Sequence, residues 1–449
     1  MIRRYEFTEG SSKKFWEIEL EDEAFTARWG RIGTEGQEKE QSFDSAADAR
    51  RAADKLIAEK EKKGYVLVGA GKEGAAKPVA KRARNPELEK LVAENPDDKA
   101  NFLVYADWLQ QQGDPLGEVI SLACNGKEAE AKKKINANKE LFFGEIGGDP
   151  VLQNLEYHHG VLSSVRLTDI EGETQPMINV LEQLLKLPIA RFLRTLSVGL
   201  PQDLDGDSID YTFDGIFSAI GKTGPHLALA TLDGTEWGDG MDQASWARVG
   251  DVRPLWRGAP RLKVLRLNGS RGSEGSPQLK LGTIEAPELE TLTIESSGLD
   301  GSAVKDIGAS HLPKLSHLEL WLGEEDHGRS ATVKSLAAIF EGKSLPALSY
   351  LGLKNANDTD ELIAPLAAAK ILKRLDTVDL SMGTMSSAGA QILIEHHRAF
   401  AHLESLNLDD NYLSDDDLKA IKKVLPNADG GAQKNTDEDP DYRYPTVGE

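Results

Sequence analysis

Leu403-Glu-Ser-Leu-Asn-Leu-Asp-Asp-Asn-Tyr-Leu413 decides the fold. In an extended chain, Leu406 and Leu408 share one side, while Ser405, Asn407 and Asp409 share the other. The same Leu-x-x-Leu-x-Leu spacing stands at Leu262-Leu265-Leu267, Leu289-Leu292-Ile294, Leu315-Leu318-Leu320, Leu348-Leu351-Leu353 and Leu375-Val378-Leu380. Fainter copies are Leu162-Val165-Leu167, Leu193-Leu196-Val198 and Leu227-Ala230-Leu232. From Leu292 onward the middle positions lie 26, 33, 27 and 28 residues apart. Helical stretches, such as Val333 to Phe340 and Ala388 to His397, fall between the apolar runs. A repeat of this length predicts one strand and one helix per unit, with neighbouring units burying each other's apolar side.

Asn411 and Leu413 extend the last copy into the longer leucine-rich-repeat signature. The array resembles the ribonuclease-inhibitor-like class of that family. The resemblance implies a solenoid, a parallel β-sheet horseshoe with outer helices. The residues flanking the last two apolar positions of each copy are then expected on the concave face. Among them are Arg266, Glu295, His317, Glu319, Trp321, Tyr350, Asp379, Asn407 and Asp409. Exposed aromatics such as Trp321 and Tyr350 are what a protein-binding surface uses. The surrounding carboxylates would steer a basic protein partner there. The other reading is that both aromatics fold onto the rim and cover a loop.

A second stretch, Arg28-Trp-Gly-Arg-Ile-Gly-Thr-Glu-Gly36, sets a Trp between two Arg residues, followed by spaced glycines. Glycines at such positions allow φ > 0 and close backbone approach. An aromatic face can stack on a base, and guanidiniums can fork onto phosphate. Alternation in Phe15–Leu20 and Phe25–Trp29, with Glu21-Asp22-Glu23 between, predicts a hairpin with one buried face. Asp44 or Ser45 would cap a helix with the stripe Ala49, Ala53, Leu56 and Ile57, ended by Gly64. Trp29 shares parity with Phe25 and Ala27, so core and contact readings both stand. From Tyr5 to Val68, including Lys14-Phe-Trp-Glu17 and Lys62-Lys-Gly-Tyr65, the chain resembles the WGR domain of poly(ADP-ribose) polymerases and many bacterial proteins. The resemblance implies a small α+β module that binds DNA or RNA, or docks another domain. Trp29, Arg28, Arg31, Lys14 and Gly30 are its candidate contacts.

Charge works against a simple duplex binder. The chain carries −21, and residues 1–70 hold 13 Lys plus Arg against 15 Asp plus Glu. That removes the counterion-release term that dominates non-specific binding. Residues 71–84 differ, with Lys72, Lys77, Lys81, Arg82 and Arg84 against Glu73, and read as a basic flexible linker. Residues 85–150 read as a helical connector that caps the array. The string Leu103-Val-Tyr-Ala-Asp-Trp-Leu109 with Gly113-Asp-Pro-Leu-Gly-Glu118 resembles a bacterial segment that accompanies repeat arrays. Its Tyr105, Asp107 and Trp108 are expected to pack on the first repeat. Repeats are assigned to 151–426 and an acidic tail to 427–449. Its acidic half is expected to be disordered, and Tyr442-Arg-Tyr-Pro-Thr-Val-Gly-Glu449 could dock on the last repeat.

No apolar run approaches the ~18–20 residues of a membrane helix. Met1-Ile-Arg-Arg-Tyr-Glu6 lacks an apolar leader, and Cys124 is the single cysteine. A cytoplasmic, reducing setting is expected, with no disulfide and no thiolate metal cluster. Gly-x4-Gly-Lys-Ser/Thr, His-Glu-x-x-His and Gly-x-Ser-x-Gly are absent. The adjacent pairs His158-His159 and His396-His397 should point their rings apart. No cofactor or metal is expected, nor an ADP-ribosyltransferase domain among the repeats. The sequence reads as a non-enzymatic bacterial adaptor or scaffold. The rival is a purely protein-binding regulator or inhibitor with WGR as its docking module. An enzyme on an unrecognised site is the third reading.

Overall fold

The computed structural model describes residues 2–7, 13–21, 24–31, 36–43, 46–70, 84–168, 177–199, 213–234, 248–269, 279–435 and 443–447. It divides into two compact units, Met1–Lys81 and Arg82–Glu449. The basic stretch 71–83, Gly33 and the acidic run 437–441 lie outside the described residues.

The first unit is a five-stranded sheet with one helix. Strands β1 (Ile2–Phe7), β2 (Lys14–Glu21), β3 (Ala24–Arg31), β4 (Gln37–Ser42) and β5 (Val66–Ala70) take the order β4-β3-β2-β1-β5. The β2–β3 hairpin pairs Trp16 with Trp29, Glu17 with Arg28 and Lys14 with Arg31. Helix α1 (Ala46–Lys62) brings Ala53 and Ile57 onto Tyr5, Trp16, Ile18, Phe25 and Ala27. Gly64 follows the helix at φ +83°. Gly36 is required twice over. Its φ is +77°, and a Cβ there would meet Phe15 Cζ at 2.7 Å and the Trp29 carbonyl oxygen at 2.8 Å.

The second unit opens with α2 (Pro86–Glu94), α3 (Lys99–Gln111), α4 (Leu116–Cys124), α5 (Glu128–Ala137) and α6 (Lys139–Phe143). Side-chain acceptors start the first three. Asn85 receives Leu88 N (3.2 Å), Asp98 receives Ala100 N (2.9 Å), and Asp114 receives Leu116 N (3.0 Å). Cys124 is buried and its thiol is pushed up to about 11 by that burial, so it behaves as a small apolar side chain. Tyr105 is fully buried, accepts from Arg191 Nη1 at 2.6 Å and packs edge-on against Phe192 at 5.3 Å. This cluster packs α3 on Arg191 and Phe192, which precede the sheet strand Thr195–Val198.

That sheet has eleven strands in the order β16 back to β6, so every strand lies beside its predecessor in sequence. They are β6 (Leu152–His158), β7 (Val161–Leu167), β8 (Thr195–Val198), β9 (Thr231–Gly234), β10 (Val264–Asn268), β11 (Thr291–Glu295), β12 (His317–Gly323), β13 (Tyr350–Ala356), β14 (Thr377–Asp379), β15 (Ser405–Asn407) and β16 (Ala428–Asp429). β6 and β7 form an antiparallel hairpin, and all later neighbours are parallel. Helices such as Gly301–Ala309, Val333–Glu341, Thr359–Ala367 and Ser387–Glu395 lie between successive strands, as parallel pairing requires.

One register row runs through the parallel strands. Val165, Leu196, Leu232, Leu265, Leu292, Leu318, Leu351, Val378 and Leu406 pair in succession, and all are buried. The row corrects the frame expected for one copy. Leu232, not Ala230, holds the middle position, so that copy reads Leu229-Leu232-Gly234. Asn411, fully buried, joins adjacent units by donating to the Leu380 and Leu408 carbonyls (2.9 and 3.1 Å) and accepting from Met385 N (2.8 Å).

The histidine pair 158–159 differs from expectation. The rings sit 3.9 Å apart against Phe102, because His159 (φ +49°) occupies the β6–β7 turn rather than a strand. Among the described residues no helix is long and apolar enough to cross a membrane.

Truncating the row should be costly. Leu351→Ala is expected to destabilise the second unit by about 2–5 kcal/mol in urea unfolding. Leu141→Ala, at a 47% exposed position, should change it by less than about 0.5 kcal/mol. Equal effects would contradict the packing described.

Candidate nucleic-acid interface and open sheet face

Strand parity sorts the WGR-like candidates onto two faces. Lys14, Trp16, Trp29 and Arg31 share the face that α1 covers, and Phe15, Glu17, Arg28 and Gly30 share the other. Trp16 is buried there, whereas Trp29 lies past the cover of the helix and is 37% exposed. Two hollows flank its ring. One, of about 500 Å³, is lined by Lys13, Lys14, Phe15, Trp29, Gly30, Arg31, Lys60 and Tyr65. The other, of about 280 Å³, is lined by Trp16, Phe25, Ala27, Trp29, Lys39, Gln41, Leu56 and Lys60. All the charged residues in both linings are cationic. This is an aromatic platform with a basic rim, suited to a stacked base and its phosphates.

Arg28 is not part of that platform. On the opposite face it pairs with Glu17 at 2.6 Å, while Arg4 takes the other Glu17 oxygen at 2.6 Å. Glu17 is only 9% exposed, so the two guanidiniums compensate a nearly buried carboxylate. Gly30 lies in the strand, not in a left-handed turn; among 30, 33 and 36, only Gly36 is described with positive φ. Sequence reasoning missed Lys60 as a site residue. Its Nζ lies 5.3 Å from both the Trp16 and Tyr65 ring centres. Burial and then Lys63 hold its ammonium below the usual lysine range. The basic last turn of α1 was the available signal.

On the large sheet, the expected face residues are engaged in polar contacts, two pairs and one longer chain. Arg266 Nη1 pairs with Asp233 at 3.2 Å, and Asn268 Nδ2 donates to Glu295 at 3.0 Å. Glu319 accepts from Trp321 Nε1 (2.7 Å), Lys354 Nζ (3.2 Å) and Tyr350 Oη (3.4 Å). Tyr350 also donates to Asp379 (3.1 Å), which accepts from Asn407 Nδ2 (3.1 Å), and Asn407 accepts from Asp409 N (3.0 Å). His317 stacks on Tyr350 at 3.9 Å.

Trp321 does not stand open as a contact aromatic. It is 7% exposed, packed beneath Val447 with Met382 beside it. Tyr350 is half-buried between carboxylates, and burial, then Asp379 and Glu319, push its phenol far up. The covering chain is the segment Arg443–Val447. Tyr444 meets Tyr412 edge-on at 6.4 Å.

The carboxylates are driven apart in acidity. Burial, then repulsion from Glu319, pushes Glu295 up to about 7. Burial also acts on Glu319, but bonds from His317, Trp321 and Lys354 outweigh it and bring it down to about 2. Burial and then Asp429 raise Asp409. Split carboxylates can serve acid–base chemistry, yet both Glu319 oxygens are already engaged by neighbouring side chains. Among the described residues, no three His, Cys, Asp or Glu side chains are grouped to hold a metal.

Glu295 generates a pH prediction. Its folded pKa lies above its ordinary value, so between about pH 4.5 and 7 the folded chain keeps a proton that the unfolded chain releases. Stability from this site therefore falls as pH rises through that window. Glu295→Gln should leave the melting temperature nearly unchanged at pH 4.5 and raise stability at pH 8 by on the order of 1–2 kcal/mol, after discounting for solvent screening. No gain at pH 8 would contradict the burial.

Comparison with known proteins bears on the first unit. Residues 1–72 match the WGR domain family model. Protein YehF of Escherichia coli is 43% identical over 65 residues, 14% of this chain and 24% of that protein. The uncharacterized protein YfeS of Escherichia coli is 35% identical over 65 residues, 14% of this chain and 27% of that protein. The chain thus spans about a quarter of the length of the curated relatives it matches. A crystal structure of a Bacteroides fragilis protein aligns over 99% of both chains at 24% identity, with a TM-score of 0.47. The chain carries a WGR domain at its N-terminus.

Proposed function

We propose that this protein is a non-enzymatic adaptor. Its WGR domain engages a nucleic acid, and its large sheet holds a protein partner. The observation that carries the first half is Trp29. It is exposed at the end of an otherwise core-facing row, between hollows rimmed by Lys13, Lys14, Arg31, Lys39 and Lys60. With residues 1–70 near neutral overall, binding would depend on this local platform more than on a long-range field. A nucleic-acid end or single strand, whose bases are open to stacking, suits it best.

For the second half, we read the sheet unit as a leucine-rich-repeat solenoid of the ribonuclease-inhibitor-like kind. The shared register row, with helices returning between parallel strands, supports that reading. Its polar face sets Asp233, Glu295, Glu319, Asp379 and Asp409 against Arg266 and Lys354, an excess that favours a basic partner. A purely protein-binding regulator, with WGR as a docking module, is favoured by one observation. The edge strand β4 is exposed throughout, an open sheet edge on which another chain can dock.

The two readings separate on binding of full-length protein to labelled blunt, nicked and single-stranded DNA and to RNA at physiological salt. The adaptor reading expects saturable binding. Trp29→Ala should weaken it by about 1–3 kcal/mol, Arg31→Ala and Lys60→Ala should weaken it in a salt-dependent way, and Arg28→Lys, which keeps a cation beside Glu17, should leave it nearly unchanged. Failure of every probe to bind would favour the docking reading. Loss with folded Arg28→Lys but not with Trp29→Ala would overturn the site.

A further inference from the structure

Three strand-end residues share an unusual backbone. Asn355, Met382 and Asp410 each lie two positions beyond the third apolar residue of their Leu-x-x-Leu-x-Leu copy, Leu353, Leu380 and Leu408. Each is left-handed, with φ of 51°, 64° and 55°. Asn and Asp tolerate this region, but a long side chain such as Met adopts it rarely, and such outliers gather where a ligand is held. All three residues grip one segment, Arg443–Val447.

The grip is on main chain. Asn355 Nδ2 donates to the Val447 carbonyl at 2.7 Å, and Asn355 Oδ1 accepts from Val447 N at 2.9 Å. The Met382 carbonyl accepts from Thr446 N at 3.0 Å. Tyr412 Oη accepts from Tyr444 N and donates to the Tyr444 carbonyl, each at 3.2 Å. Lys434 Nζ donates to the Tyr444 carbonyl and Thr446 Oγ1, both at 3.1 Å. Two side chains add selectivity. The Thr446 hydroxyl bonds to Asp410 Oδ2 and lies 3.2 Å from the Met382 carbonyl. Val447, 3% exposed, seats on Trp321. Paired side-chain amide bonds to one residue's N–H and C=O recognise extended backbone whatever the sequence, while the pockets choose the side chains.

We infer that these strand ends form a peptide-binding groove. Its partner is an extended peptide with a hydroxyl residue followed by a β-branched aliphatic one, and the chain's own Thr446-Val447 occupies the groove as a competitor. The inference deepens the proposed protein-binding role of the sheet and rests on it. A tethered competitor sees a local concentration on the order of 1 mM, so a free peptide with a Kd of about 10 µM would be held off roughly a hundredfold.

The probe is fluorescein-labelled Arg-Tyr-Pro-Thr-Val-Gly-Glu, the sequence of residues 443–449, titrated by polarisation against full-length protein. Wild type should bind it weakly. Val447→Asp, which cannot seat on Trp321, should vacate the groove and bind it at least tenfold more tightly. Adding Asn355→Gly, which suits the left-handed backbone but lacks the amide, should remove that gain. Circular dichroism melts establish that each variant is folded. If folded Val447→Asp binds no better than wild type, the inference is overturned. The same holds if a peptide with Gly at both the Thr and Val positions binds equally well. If this peptide fails while a lysine-rich peptide binds in a Glu319- and Asp379-dependent way, the groove falls and the broader protein-binding reading survives.

Discussion

The parallel register row from Val165 to Leu406 is the constraint on which the large unit depends. Side chains alternate across a strand, so a slip of one residue would drive Glu319 or Asp379 into the core and expose the leucines. Burial of the row therefore fixes every strand against its neighbours. It also fixes what stands on the other face, because residues one step from the row repeat at the strand spacing of about 4.8 Å. Glu319, Tyr350, Asp379 and Asn407 come within hydrogen-bonding reach because Leu318, Leu351, Val378 and Leu406 are aligned beneath them. The left-handed residues at the strand ends follow from the same alignment, so three of them meet one extended segment.

The small unit obeys the same alternation with a different outcome. In the β2–β3 hairpin, parity divides a continuous basic and aromatic sequence into two sites. On one face, Arg4 and Arg28 surround Glu17 and hold the sheet together. On the other, α1 covers Trp16 but stops short of Trp29, leaving a ring with cations around it. Arg28 and Trp29 are neighbours in sequence and still do different work.

What was legible in the sequence follows the range of the interactions. The spacing of Leu-x-x-Leu-x-Leu marked the strands, because burial of alternate residues is a local demand. The copy around Leu232 is the exception, because Leu227, Ala230 and Leu232 mimic, two residues out of frame, the spacing that Leu229 and Leu232 fill. Asp98 caps α3 locally, accepting from Ala100 N. Asp97 instead meets Arg194, nearly a hundred residues away. Burial of Trp321 was hidden for the same reason, because its cover comes from Val447. Lys60 joined the Trp29 hollows only once α1 was placed on the sheet. Local pattern revealed which faces exist, and distant partners decided which parts of those faces stay open.

The Trp29 platform is the proposed contact point for nucleic acid on this chain. Hydrogen exchange of the full-length protein with and without a short single-stranded DNA tests it directly. Slowed exchange confined to the backbone around Lys14, Trp29–Arg31 and Lys60–Tyr65, and abolished by Trp29→Ala, is the expected result. Protection centred on the large sheet instead, or no protection at saturating DNA, would contradict it.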